Sequence, residues 1–167
     1  MLTPTMPLRV AVLTISDACS KGERKDTSGE TIVDWIAGRK AKLAARELVA
    51  DENVDIVRTL VDWADLDVAD LILTTGGTGL APRDVTPEAT RSVIEREAPG
   101  IAEELRRHGM KSTHYSALSR GLAGVRNKTL IVNLPGSPKG VEDGLKVLDE
   151  LVDHAVKLLR SEKTEHA

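Results

Sequence analysis

Residues 74–88 read Thr-Thr-Gly-Gly-Thr-Gly-Leu-Ala-Pro-Arg-Asp-Val-Thr-Pro-Glu and follow directly on the apolar run Ala69-Asp70-Leu71-Ile72-Leu73. Gly76, Gly77 and Gly79 permit positive φ and let backbone N–H groups approach a ligand closely, while Thr75 and Thr78 add hydroxyl donors. Arg83 and Asp84 supply an adjacent cation and carboxylate. Thr86-Pro87 has the form of an N-cap followed by proline at the first helical position. The loop is therefore expected to end on a helix N-terminus with its partial positive charge. Such a loop suits phosphate. It matches neither common nucleotide fingerprint: Ala81 stands where a Walker A sequence has its second glycine, and no lysine follows. Pro82 takes the place of the third glycine in the dinucleotide pattern that Gly77-Thr78-Gly79 begins.

Three further clusters could join this loop: Ser16-Asp17, Asp51, and Pro135-Gly136-Ser137-Pro138-Lys139-Gly140. Each residue type also has a purely structural reading. Aspartate is a favoured helix cap, so Asp51 could cap a helix starting at 52. Asp84 could pair with Arg83 or turn its own loop, Asp17 could be a turn residue, Ser137 a cap, and Asp26 an anchor for the loop before the first helix. Cys19 has no adjoining histidine or lysine and reads as an ordinary thiol. The histidines at 108, 114, 154 and 166 lack metal-ligand spacing, which argues against zinc.

These clusters must be positioned by regular elements. Residues 8–15 form an apolar, β-branched run expected of a strand covered on both faces. Thr27 and Glu30 have capping-box spacing, and Ile32, Val33, Ile36 and Ala37 make one stripe of a helix reaching about residue 42. A short strand at 47–50 precedes a helix whose Val54, Val57, Leu60, Val61 and Ala64 share a face. A strand at 70–75 and a helix from about 87 to 97, with Ala89, Val93 and Ile94 inward, flank the glycine loop. Pro99-Gly100 breaks the chain before a helix at 100–108, and 112–124 shows only weak helical character near 114–120. Residues 125–129 read as a turn into a strand at 130–133. From Val141, the series Leu145, Leu148, Val152, Ala155 and Leu159 recurs at helical spacing in one apolar seam. Strands alternating with helices specify an α/β protein with a mainly parallel sheet covered on both faces.

Composition narrows the partners. At 167 residues the chain fits one domain, able to bury about 70% of its unfolded surface, with ends at about 1–7 and 161–167 expected to be flexible. A net charge of -3 with only Trp35, Trp63 and Tyr115 as aromatics argues against nucleic-acid binding. No apolar run approaches the ~20 residues that cross a bilayer, so no membrane partner is expected. One cysteine and no signal-like opening make a cytoplasmic location the expectation.

In a parallel sheet the four clusters meet at the carboxyl ends of the strands, where open α/β sheets bind ligands. Asp51 and Asp84 would then border one phosphate-binding site, and at about 5 Å two like charges repel by roughly 3 kcal/mol at an effective dielectric near 20. A bridging Mg²⁺ would relieve that repulsion, since it takes one or two carboxylates and completes its shell with phosphate oxygens and water. Arg83 and Lys139 are expected to supplement it. Nucleotide chemistry follows, with the metal offsetting charge on the transferred group and the leaving pyrophosphate.

The 74–88 motif and Asn-Leu-Pro-Gly-Ser-Pro-Lys-Gly at 133–140 resemble the MogA/MoaB family of molybdenum cofactor biosynthesis, to which the gephyrin G domain is related. The resemblance extends to Ile15-Ser16-Asp17, Asp26-Thr27-Ser28-Gly29, Asp51-Glu52, Pro99-Gly100 and Leu118-Ser119-Arg120, and covers most of residues 8–159. The segment Ser16-Asp17-Ala18-Cys19 looks more like MoaB or the gephyrin G domain than MogA. The resemblance implies a three-layer α/β/α domain, assembled as a homotrimer or homohexamer. It implies a nucleotidyltransferase that adenylylates molybdopterin with Mg-ATP, releases pyrophosphate, and hands its product to a molybdenum insertase. The family's functional aspartates map onto Asp51 and Asp84, its substrate loops onto 76–79 and 135–139, and Ser119 joins them. Two other readings share the architecture: a molybdopterin carrier without ATP turnover, and a nucleotide hydrolase with water as acceptor.

Overall fold

The computed structural model describes residues 6–161. The elements run in the order β1 (Arg9–Ile15), α1 (Asp17–Ser20), α2 (Thr27–Gly38), β2 (Lys42–Val49), α3 (Asn53–Asp65) and β3 (Leu71–Thr75). There follow α4 (Thr86–Val93), β4 (Arg96–Glu97), α5 (Pro99–Gly109), a 3-10 helix (His114–Leu118), β5 (Ala123–Arg126), β6 (Thr129–Leu134) and α6 (Pro138–Leu159). One six-stranded sheet has the order β2-β1-β3-β6-β5-β4. The β2, β1, β3 and β6 strands run parallel, and β5 and β4 add an antiparallel edge.

Alternation along the central strands builds two cores. Val10, Val12, Leu71, Leu73, Leu130 and Val132 face one way, onto Ile32 and Ile36 of α2 and the seam of α6. Ala11, Leu13, Ile15, Ile72 and Ile131 face the other, onto Ile56, Leu60 and Trp63 of α3 and Ala89 and Val93 of α4. The result is the expected α/β/α sandwich. Most of the expected chain ends, 1–7 and 161–167, and His166 lie outside the described residues.

Several local expectations need correction. The strand placed at 47–50 begins at Lys42, because an edge strand with one exposed face can carry charge along most of its length. Asp26, rather than Thr27, caps α2: its carboxylate accepts from Gly29 N at 2.9 Å, and the helix ends at Gly38. Val54 is exposed, and the buried face of α3 runs through Ile56, Leu60, Trp63 and Ala64. The helix expected to reach 97 stops at Val93, since Glu95 N and Ala98 N are drawn into bonds with Val125 O and Ala123 O at the sheet edge. Of the segment 125–129 read as a turn, Val125 and Arg126 instead end strand β5, while 127–128 do turn into β6, with Asn127 at φ 52°.

At the sheet edge where β1 and β3 begin, Asp70 is buried and clamped by two arginines. Arg9 Nη2 lies 2.9 Å from Oδ1, and Arg160 Nη2 lies 2.5 Å from Oδ2. Burial opposes the Asp70 charge, but hydrogen bonds from Arg9 and Arg160 outweigh it and hold the carboxyl below the ordinary range. The clamp joins the start of the sheet to the end of its longest helix.

Candidate active site

The Ser16, Asp51, Gly76 and Pro135 segments leave the carboxyl ends of β1, β2, β3 and β6, four adjacent parallel strands. The sheet therefore brings all four clusters to one edge. Gly76 has φ 100°, and a Cβ there would collide with Ile15 O. Gly77 has φ 65°; a Cβ would collide with Thr86 Oγ1 and approach Asp51 Oδ1 to 3.1 Å. These two glycines let the loop lie flat against the strand ends. A Cβ on Gly79 would sit 2.8 Å from Asp84 Oδ2, so the loop passes between the two carboxylates in question.

Thr86 does not cap α4. The cap position is Val85, and the fully buried Thr86 hydroxyl donates to Gly76 O at 2.9 Å, pinning the helix to the loop from behind. Asp84 turns its own loop, accepting from Ala81 N at 3.0 Å, and is not paired with Arg83. Arg120 braces the same loop from the other side: its Nε donates to Gly79 O at 2.8 Å and its Nη2 to Asp84 O at 2.7 Å. Its Nη1 pairs with Glu88.

Asp51 is not a cap either. Asp17 N donates to Asp51 Oδ2 at 2.8 Å while Asp51 N donates to Asp17 Oδ1 at 3.0 Å, a reciprocal pair joining the ends of β1 and β2. Arg83 Nε reaches Asp17 Oδ2 at 2.5 Å, and its Nη2 reaches Glu52 Oε1 at 2.7 Å. Arg83 and the Asp51 N–H together pull the Asp17 carboxyl down to about 2. Asp51 moves the opposite way: burial raises it, and the neighbouring Asp17 and Asp84 charges raise it further.

Two cavities open at this edge. The first, about 550 Å³, is lined by Thr78, Gly79, Leu80, Ser119, Pro135 and Lys139 and by parts of α5, the 3-10 helix and α6. The second, about 500 Å³, is lined by Ser16, Cys19, Arg24, Lys25, Asp51, Thr75 and Gly76 among others. Gly77, Asp84, Gly136 and Ser137 line both and form the divide. Thr75 and Ser28 hold that divide through hydroxyl bonds to Pro135 O (2.7 Å) and Gly136 O (2.6 Å), and Ser137 caps α6 through Gly140 N at 3.1 Å.

Of the residues singled out in the sequence, Asp17 and Arg83 alone line neither cavity; each is held by the other on the outer side of Asp51. Arg83 is paired with Asp17 and Glu52 and stands apart from both cavities. Lys139 does line the first cavity, but its ammonium is paired with Asp143 at 2.8 Å. Arg24, Lys25 and Asp143 escaped the sequence reading, and Arg120 entered it only within the Leu118-Ser119-Arg120 match, with no role attached. The basic run Lys21 to Lys25 was the available signal for the first two; Arg120 and Asp143 acquire their roles only through tertiary contacts.

A doubly wound sheet with two adjoining cavities at its carboxyl edge places this chain among the open α/β proteins whose ligand sites lie at that edge. Residues 11–154 match the model of the probable molybdopterin binding domain, and the chain belongs to that family. It is 39% identical over 154 residues to a molybdopterin adenylyltransferase of Helicobacter pylori, covering 91% of this chain and 88% of the relative. It is 46% identical over 149 residues to the molybdenum cofactor synthesis protein cinnamon of Drosophila melanogaster, but spans only 25% of that protein's length. The crystal structure of the molybdopterin biosynthesis enzyme MoaB from Thermus thermophilus superposes with a TM-score of 0.87 at 50% identity, covering 95% of this chain and 99% of the other.

Proposed function

We propose that this chain transfers the adenylyl group of ATP to molybdopterin in molybdenum cofactor biosynthesis. The observation that carries the proposal is the shared divide: Asp84, Gly77, Gly136 and Ser137 face both cavities, so ligands in each would meet across it. The first cavity, walled partly by Leu80, Leu105 and Leu118, suits a fused heterocycle. The second, with Arg24, Lys25, Ser16 and the glycine backbone, suits a triphosphate.

In the reaction a terminal phosphate oxygen of molybdopterin forms a bond to the α-phosphorus of ATP, and the bond from that phosphorus to the pyrophosphate oxygen breaks. Positioning and charge neutralisation dominate such transfers. The residues fit a divalent cation, because the Asp51 and Asp84 carboxylates both line the second cavity and supply the oxygen donors such a cation takes. Mg²⁺ held by Asp51 and Asp84 would offset charge on the transferring phosphate and the departing pyrophosphate. The glycine-loop amides hold the phosphate end of the acceptor, and Ser119 borders the same cavity.

Incubation of the pure protein with molybdopterin and labelled Mg-ATP should yield adenylylated molybdopterin and pyrophosphate. The Asp84→Asn variant should lose that transfer by at least about a hundredfold while keeping its melting temperature, in line with the cost of removing transition-state charge stabilisation. Pterin binding without product in the parent protein would instead identify a carrier, and AMP released to water a hydrolase. The proposal further takes the protein to act in the cytoplasm, as a homotrimer or homohexamer, passing its product to a molybdenum insertase.

A further inference from the structure

The second cavity has two cations among the described residues, Arg24 and Lys25, and three carboxylates, Asp26, Asp51 and Asp84. Asp26 is already matched: it accepts from Gly29 N at 2.9 Å and from Thr14 Oγ1 at 2.7 Å, and Arg46 Nη2 lies 3.2 Å from its Oδ2. Arg24 has no such match in charge. Its Nη2 donates to the Ser16 hydroxyl at 3.2 Å, and among the described residues it forms no ion pair. Ser16 also accepts from Cys19 N at 3.2 Å, so the hydroxyl that holds the guanidinium is itself fixed at the end of β1.

The order of strands gives Arg24 a direction. The divide between the cavities is made by the loops that leave β3 and β6, at Gly77 and Gly136, and the first cavity continues from it towards α5, the 3-10 helix and α6. β1 is the next strand beyond β3 on the side away from β6, about 5 Å further along the sheet edge. Arg24, fastened to Ser16, therefore stands on the far side of the divide from the first cavity. In phosphoryl transfer the attacking and leaving oxygens lie roughly in line through phosphorus. Under the adenylyl transfer proposed above, on which this inference rests, the acceptor oxygen arrives from the first cavity. The leaving oxygen must then point into the second, towards the end of β1. We infer that Arg24 takes up the charge of the departing pyrophosphate. As the acceptor oxygen bonds to the α-phosphorus, the bond from that phosphorus to the oxygen bridging to the β-phosphorus breaks, and its electron pair leaves with pyrophosphate. The attacking oxygen belongs to a phosphate anion, so no proton has to be removed. Arg24 exchanges a neutral hydroxyl for an anionic oxygen, a shorter and stronger kind of hydrogen bond. Its charge also opposes the repulsion between pyrophosphate and the Asp51 carboxylate in the same cavity.

Calorimetric titration of the protein with magnesium pyrophosphate reads this seat without any turnover. Arg24→Ala should weaken pyrophosphate by at least about tenfold, the scale of one hydrogen bond to a charged group, while keeping the melting midpoint of the parent. For adenylyl transfer its kcat should fall by about a hundredfold, as when one donor is removed from a developing oxyanion, with the KM for molybdopterin unchanged. Arg24→Lys should recover part of that loss, since the ammonium keeps the charge and loses the fork. Leaving-group chemistry separates a direct role from a structural one. The departing group of β,γ-difluoromethylene ATP is less basic than that of β,γ-methylene ATP. In single turnovers the advantage of the fluorinated donor should be at least about threefold larger in Arg24→Ala than in the parent, because the departing group then bears its charge unaided. An equal fall for both donors, a parent protein that takes up no pyrophosphate, or equal pyrophosphate affinities in the parent and Arg24→Ala would overturn the assignment. Pyrophosphate binding that is lost in Arg24→Ala, in a parent protein that makes no adenylylated molybdopterin, would instead remove the adenylyltransferase reading and leave the anion seat at Arg24 standing.

Discussion

Asp51 carries a charge that its surroundings oppose. Burial and the nearby Asp17 and Asp84 carboxylates raise its folded pKa. For a carboxyl raised on folding, the stabilising contribution is fully present below the unfolded value, about 3.9, and is lost as pH rises through the higher folded value. At neutral pH the ionised group therefore costs stability. Asp51→Asn, which keeps an oxygen to accept from Asp17 N, should melt a few degrees higher than the parent at pH 7. That gain should vanish below about pH 4, while adenylyl transfer falls at neutral pH. Thermal melts across pH 3–8 check the sign; a lower midpoint at pH 7 would show that the charge is already compensated in the folded state. Asp17 shows the reverse arrangement: Arg83 holds its carboxyl at about 2, so it stays ionised throughout this window. The two aspartates share a reciprocal hydrogen-bonded pair, yet the Arg83 ion pair is made with the Asp17 carboxylate and not with that of Asp51.

At the level of elements, the glycine loop is shaped by groups from three directions. Thr86 pins it from α4, the end of β1 excludes any side chain at Gly76, and Arg120 bonds three of its features through Gly79 O, Asp84 O and its own N–H to Thr78 O at 2.8 Å. Arg120 is thus a positioning residue, acting through the loop. Arg120→Ala should lower kcat for adenylyl transfer by about ten- to a hundredfold, the scale expected when reacting groups are misplaced by about 1 Å. Arg120→Lys should recover little, because one ammonium cannot reproduce the planar fork. A kcat near normal in Arg120→Ala would mean that Thr86 and the glycines alone fix the loop.

The same elements show what a sequence can and cannot reveal. β1, β3 and β6 were legible because strands covered on both faces become unbroken apolar runs, and their order fixed where the site had to be. β2 hid behind Lys42, Arg46 and Glu47, whose charges are tolerated at an edge. β5 hid behind Gly124, where a Cβ would meet Arg96 O at 2.8 Å, so close strand contact demanded a residue that reads as a turn. Asp143 adjoins Glu142 on an amphipathic helix, and its spacing alone does not set it apart from a solvated face. Arg83 adjoins Asp84 in sequence but reaches across to Asp17, a partnership that no local pattern encodes.

Across the whole molecule, the cavities occupy one edge of the sheet and the Asp70 clamp the other. Removing one partner of a buried ion pair leaves uncompensated charge, at a cost of about 3–5 kcal/mol. Asp70→Ala should therefore lower the melting midpoint by roughly 6–20 °C, at 2–4 °C per kcal/mol for a protein of this size. Well below that midpoint, transfer per folded molecule should stay close to the parent, since Asp70 lines neither cavity. Activity lost in proportion to Asp70 charge at low temperature would mean that the two edges are coupled.

Because Arg9 and Arg160 converge on one carboxylate, the chain enters and leaves this fold at the back, away from where small molecules arrive. Additional polypeptide spliced on at either end would start from that rear surface and leave the front unobstructed. The stretch that matches this chain makes up a quarter of the Drosophila relative, a length relation that suits a unit whose two ends meet at the rear.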